Sequence, residues 1–249
     1  MEIADRTAQV LALVLERSPR TVDELAADEA VVDALVRHGL LEWDAGRTAV
    51  RPGPALVRYA RSGQDREALA ALAEPAMRRL ADESGETVNL MVQSARGAEA
   101  ISQVDGPHVL GVSNWVGREV PDHCSAAGKV FLAFGASELP AGPLERRAAR
   151  TIVDHAALER ELETVRAHGY ATIVDELEVG LAAVAAPVRD AAGAVVAAIS
   201  VAGPTARLAD HRLSLLGRVA IEQAHTVSTQ LGFEGALEDL LDGFRAGRA

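Results

Sequence analysis

The sequence predicts an α+β protein in two parts: a small helical module closed by a hairpin, then a larger domain with one mostly antiparallel sheet and helices packed on it. Three observations lead there. Apolar residues recur at helical spacing through residues 3–39, then give way to short alternating runs around a Gly-containing turn. From Glu86 onward the pattern becomes short strand-like runs at residues 88–92, 100–104, 171–174, 181–189 and 194–201. Helical stretches at residues 129–134, 156–168 and 209–231 separate or follow them. A chain of 249 residues, 49% hydrophobic, is long enough to bury two cores.

Taken in order, residues 3–17 form an amphipathic helix with Ile3, Val10, Leu11, Val14 and Leu15 apolar, stopped by Ser18-Pro19. Thr21 and Glu24 have the spacing of a capping box and open a second, short helix. A third helix carries Val31, Val32, Leu35 and Val36 and ends at Gly39. Leu40-Leu41-Glu42-Trp43 and Thr48-Ala49-Val50 then flank the turn at residues 44–47 as a hairpin. Three helices and a hairpin are the order of a winged helix-turn-helix, whose third helix enters the major groove while the wing touches phosphates. A three-helix module that packs on a protein has the same order. Arg20, Arg37, Arg47, Arg51 and Arg58 are the candidate phosphate contacts. Asp28, Glu29 and Asp33 sit at the start of the third helix, and residues 1–60 hold seven arginines against ten acidic residues, a net of −3. That balance argues against direct base readout.

Pro52-Gly53-Pro54 ends the hairpin. Residues 54–83 read as linker helices, with Leu69, Leu72, Ala76 and Leu80 on one face and a kink or restart expected at Pro75. Within the larger domain, residues 109–112 are a further candidate strand. Gly169 has the position of a helix C′ glycine after His168. The tail at residues 233–249 places Leu237, Leu240, Leu241 and Phe244 on one helical face, as oligomer packing would need.

Residues 121–132, Pro-Asp-His-Cys-Ser-Ala-Ala-Gly-Lys-Val-Phe-Leu, hold the only cysteine and the only lysine of the chain. Small residues at 125–128 open a helix, where accessible N–H groups and the helix dipole favour an anion. A tight helix–sheet contact would ask for the same small residues. Lys129 is expected to fix the helix or a dimer surface.

Several function classes fall away. No run of about 18 apolar residues exists, which argues against a membrane span. The first residues lack a basic patch followed by an apolar stretch, so no signal peptide is read. One cysteine forms no internal disulfide, which fits the cytoplasm. A net charge of −11 argues against nonspecific nucleic-acid binding by the molecule as a whole. No catalytic set emerges: His123 and Cys124 are neighbours whose side chains diverge, and there is no phosphate loop, metal-spaced cluster or nucleophile elbow. Neither an enzyme nor a cofactor or metal is expected.

Residues 80–90, residues 117–121 running into 123–133, His168-Gly169-Tyr170-Ala171, Glu176 with Gly180, residues 185–190 and residues 199–204 form an ordered set. That set resembles the IclR family of bacterial transcriptional regulators, closely over residues 54–232 and in outline over residues 1–53. The resemblance implies a winged helix-turn-helix (residues 1–53), linker helices (54–83), a GAF-like effector domain (84–232) and a tail. It implies dimers or tetramers that bind operator DNA and repress or activate in response to a small carboxylic or aromatic acid. By position, the pocket would be lined by Val109, Val112, Ser125, Ala126, Ala127, Ala183, Ser200 and Ala202, with His123 and Cys124 beside it. This chain departs from its relatives by alanine at 183 and 202, where they often carry polar or sulfur side chains, and by Asp122 in place of an apolar residue. The segment between Leu25 and Gly39 is shorter than usual and lacks the Ser/Thr and basic residues that relatives present to DNA. The leading expectation is a ligand-responsive transcriptional regulator. The alternative is a sensor whose N-terminal domain binds protein instead of DNA.

Overall fold

The computed structural model describes residues 3–25, 29–56, 66–108 and 113–238, and the chain divides into two compact units, Met1–Arg66 and Glu67–Ala249. In the first unit α1 (Ile3–Glu16) is followed by β1 (Arg20–Thr21), α2 (Val22–Leu25), α3 (Glu29–Arg37), β2 (Leu41–Trp43) and β3 (Ala49–Pro52). The capping box forms as read: the Thr21 N–H donates to Glu24 Oε2 at 2.9 Å and the Glu24 N–H to Thr21 Oγ1 at 3.3 Å. The three strands pair in the order β1-β3-β2. Asp44 ties the turn by accepting from the N–H groups of Thr48 and Ala49 and from the Thr48 hydroxyl. Val10, Val14, Leu25, Val32, Leu35, Leu41 and Val50 fill the core of this unit. Leu15, expected on the apolar face, is 60% exposed, because one residue beyond Val14 turns it about 100° away from the core.

The second unit contains α4 (Arg66–Ser84), β4 (Thr87–Ser94), β5 (Gly97–Val104), β6 (Glu119–Val120), α5 (Ala126–Ala133), α6 (His155–His168), β7 (Ala171–Val174), β8 (Leu181–Arg189), β9 (Val195–Pro204) and α7 (Asp210–Gln230). The six strands form one sheet in the order β6-β5-β4-β9-β8-β7, with every named pair antiparallel. The period-two alternation splits each strand between two cores. On β8, Ala182, Val184, Ala186 and Val188 face a core shared with α4 and α7. Ala183 and Ala185 face a second core, with Ala198 and Ala202 of β9, under α5 and α6. The second face is built of alanines, so α5 approaches the sheet closely.

The helix read as a linker belongs to this unit. Ala73, Ala76, Met77, Leu80 and Ala81 of α4 are buried in the first core, and the helix continues through Pro75 as one element, without the restart expected there. The candidate strand at residues 109–112 and most of the apolar tail fall outside the described residues, while Leu237 packs against the first core. No described helix is long and apolar enough to cross a membrane.

Candidate functional site

Between the alanine face of the sheet and the start of α5 lies a half-open cavity of about 50 Å³. Its floor comes from five strands: Asn89 and Met91 of β4, Val120 of β6, Ile173 of β7, Ala183 of β8, and Ser200 and Ala202 of β9. Ser125, Ala126 and Ala127 form the wall at the helix start, and Trp115, Leu177 and Leu181 close the sides. Such a space, mostly apolar with a few placed polar groups, is the usual make-up of a small-molecule site.

The helix start is set by local chemistry. Asp122–Cys124 form one 3₁₀ turn, and Ser125 takes an extended backbone as the N-cap of α5. Its Oγ accepts the Gly128 N–H at 3.1 Å, and its carbonyl accepts the Lys129 N–H at 2.9 Å. The N–H groups of Ala126 and Ala127 are left without a helical partner, as the first groups of any helix are. Gly128 is small for a different reason: a Cβ there would collide with the Asp122 backbone and stand 2.6 Å from Ser125 Oγ. The run of small residues therefore serves two ends, a cavity wall at 126–127 and a close turn contact at 128.

Lys129 is fully buried beneath this wall. Its Nζ donates to Glu161 of α6 at 3.0 Å, to Glu176 at 2.8 Å and to the Thr172 carbonyl at 3.2 Å. It fixes the helix, as one of the two readings held. Burial pushes the Glu176 carboxyl up, and the Lys129 ammonium pulls it back down. Burial likewise raises Asp122, whose Oδ2 accepts the Gln93 amide at 3.1 Å.

Of the residues read from sequence, Ser125, Ala126, Ala127, Ala183, Ser200 and Ala202 come together in the cavity. His123 and Cys124 do not line it. The His123 Nε2–H donates to the Glu145 carbonyl at 2.8 Å, and the Cys124 thiol lies buried 3.9 Å from the Pro121 carbonyl. Burial pushes that thiol up to about 12, so it is held as an unreactive packing group. Val109 and Val112 lie outside the described residues.

Sequence reasoning missed Asn89, Met91, Trp115, Val120, Ile173, Leu177 and Leu181. The signal for Asn89 was present: a polar residue between Val88 and Leu90, in a run otherwise apolar enough for a buried strand. Asn89 is 5% exposed, yet its Oδ1 has no hydrogen-bond partner. The Trp115 Nε1–H is likewise buried and unpartnered. No group of three or more metal-ligating side chains occurs among the described residues.

In the first unit, the Arg47 guanidinium is 3.4 Å from Asp33 of α3 and 5.2 Å from the centre of the Trp43 ring. Arg51 pairs with Glu42 at 3.0 Å across the hairpin. Arg20 Nε donates to the Arg17 carbonyl at 3.2 Å, and Arg37 ends α3. The Arg47 and Arg51 pairs are solvent-exposed, so each contributes little to stability, at most about 1 kcal/mol.

A helical module with a β-hairpin wing, joined in one chain to a sheet domain holding a mostly apolar cavity, has the plan of a one-component transcriptional regulator. Residues 64–229 match the family model described as the bacterial transcriptional regulator IclR C-terminal domain. The chain belongs to the IclR family of bacterial transcriptional regulators. It is 33% identical over 237 residues to the HTH-type transcriptional regulator BhcR of Paracoccus denitrificans, covering 90% of this chain and 85% of that protein. It is 36% identical over 197 residues to the HTH-type transcriptional repressor AllR of Klebsiella pneumoniae, covering 77% and 70%. Among solved structures it resembles an IclR homologue from Microbacterium hydrocarbonoxydans complexed with 4-hydroxybenzoate, with a TM-score of 0.60, 25% identity, and 92% and 99% of the two chains covered. The relatives are regulators, and the chain is a regulator and not an enzyme.

Proposed function

We propose that this regulator binds a small carboxylic or aromatic acid in the cavity of its larger unit, and that occupancy changes the affinity of its N-terminal unit for operator DNA. The observation that carries the reading is the opening of the Ala126 and Ala127 helix start into an apolar cavity. A carboxylate there meets helical N–H donors and the positive end of a dipole, while its hydrocarbon part covers Met91, Val120 and Ile173. The 4-hydroxybenzoate held by the Microbacterium homologue is an acid of this kind. The working form is a cytoplasmic homo-oligomer, a dimer or tetramer, which light scattering on a sizing column tests.

A thermal-shift screen of small organic acids tests the site. At least one acid is expected to raise the midpoint, and Ala127→Trp or Ala183→Leu, each filling the cavity, is expected to remove that rise. A rise that survives both substitutions overturns the assignment.

A second reading has its own observation. The wing arginines are already paired with carboxylates of this unit, Arg47 with Asp33 of the third helix and Arg51 with Glu42 of the hairpin itself. In this reading the N-terminal unit contacts a protein instead of DNA. Gel retardation of duplexes from the gene's own neighbourhood, at low salt, separates the two, since no retardation of any of them favours the protein partner.

A further inference from the structure

Two buried polar groups in the cavity wall have no partner, and they have opposite hydrogen-bonding needs. Asn89 Oδ1 requires a donor, and Trp115 Nε1 requires an acceptor. Leaving such groups dry costs stability, commonly about 1–3 kcal/mol for each neutral group. Other buried polar atoms of the chain are unpartnered too, but among the described residues only these two line the cavity, where a ligand can supply the missing partners.

Their placement is informative. Asn89 lies in register with Ser200 of β9, so amide and hydroxyl make one polar spot in the middle of the sheet floor. Met91, Ile173, Ala183 and Ala202 around that spot are apolar. The carboxylate already has its donors at the start of α5, on the wall. The polar spot on the floor therefore faces a different part of the ligand. An unsubstituted acid would bury only hydrocarbon against it and leave Asn89 unpaired.

We propose that the effector is a hydroxy acid: a monocarboxylic acid with an apolar middle whose hydroxyl is read by Asn89, while Trp115 donates to one of its oxygens. This rests on the reading of the cavity as an organic-acid site. A hydroxyl suits an amide in either orientation, donating to its oxygen or accepting from its nitrogen. A site built to pair with a hydroxyl discriminates strongly against the analogue that lacks it, because the buried partner is left unpaired.

The experiment compares matched acids by calorimetry on the full chain: 4-hydroxybenzoate against benzoate, and 3-hydroxybutyrate against butyrate. In at least one pair the hydroxy acid is expected to bind about tenfold or more tighter, a preference that Asn89→Leu reduces to about twofold or less. Without any acid, Asn89→Leu is expected to melt at a higher temperature than the parent chain, since an unpaired buried amide has been replaced by a side chain of similar size. Trp115→Phe is expected to weaken the hydroxy acid while leaving the fold intact by circular dichroism. Equal binding of both members of each pair by the parent chain overturns the hydroxyl reading and leaves the organic-acid site standing. Failure of all four acids to bind overturns both. Should Asn89→Leu fail to fold, the preference of the parent chain decides alone.

Discussion

At the scale of single residues, Lys129 shows how one charge can organise a buried region. Its ammonium sits between Glu161 and Glu176, with no exposure of its own side chain. Removing it leaves the largely buried Glu176 uncompensated beside a partly exposed Glu161, a loss of about 3–5 kcal/mol. Lys129→Met is expected to lose stability of that order near neutral pH. The sign with pH follows from Glu176, which burial already raises and which the lysine holds down. Without the ammonium, the folded state keeps a proton on Glu176 more readily than the unfolded chain does. Its stability therefore falls as pH rises from the ordinary carboxylate range through the raised folded-state value, and the deficit narrows in acid. Urea melts of both proteins at about pH 5 and about pH 8 check this, and an equal deficit at both would contradict the pairing.

At the scale of elements, the turn from 122 to 128 sets where α5 begins. Gly128 lies against the Asp122 backbone, so Gly128→Ala must shift either the 3₁₀ turn or the helix start. The expected loss is about 1–3 kcal/mol, with a weaker response to any stabilising acid, read from melts with and without ligand. Elements of this kind were legible in the sequence wherever a side chain declared them. The Thr21 and Glu24 cap, the Gly169 C′ turn and the long strands of the second unit could all be read from residue type and spacing. What could not be read depends on distant partners. Strand β6 is two residues long, too short for a period, and exists because Glu119 and Val120 pair with Glu99 and Ala98. Helix α4 reads as a linker helix with one apolar face, and the sheet face that buries Met77 and Leu80 is a partner set by topology. The cavity was half legible: the helix start and the small residues of β8 and β9 carried a pattern, whereas Asn89, Trp115 and Ile173 are brought to it by topology. His123 and Cys124 precede the lining residue Ser125 without lining the cavity themselves, and their own contacts are with the Glu145 and Pro121 carbonyls.

At the scale of the whole molecule, the chain joins a cavity-bearing sheet to an acidic helical module, and its net charge of −11 opposes DNA everywhere except at local arginines. If the N-terminal unit binds an operator, Asp33→Asn releases Arg47 and removes a negative charge from α3. Retardation is then expected to strengthen severalfold and to become more salt-dependent, by about one unit in the slope of log K against log salt for each added phosphate contact. A variant that leaves both affinity and slope unchanged would place Asp33 and Arg47 outside the DNA contact.

The burial of Lys129 also has a chemical consequence. The chain contains a single ε-amine, and that amine is shielded from solvent by the surrounding fold. Amine-acylating reagents such as succinimidyl esters therefore find no reactive lysine in the folded protein, and residue 129 is modified only when the region around α5 opens. The rate at which that one residue takes up label, followed by mass spectrometry, becomes a clock for local opening next to the cavity, with no engineered probe required.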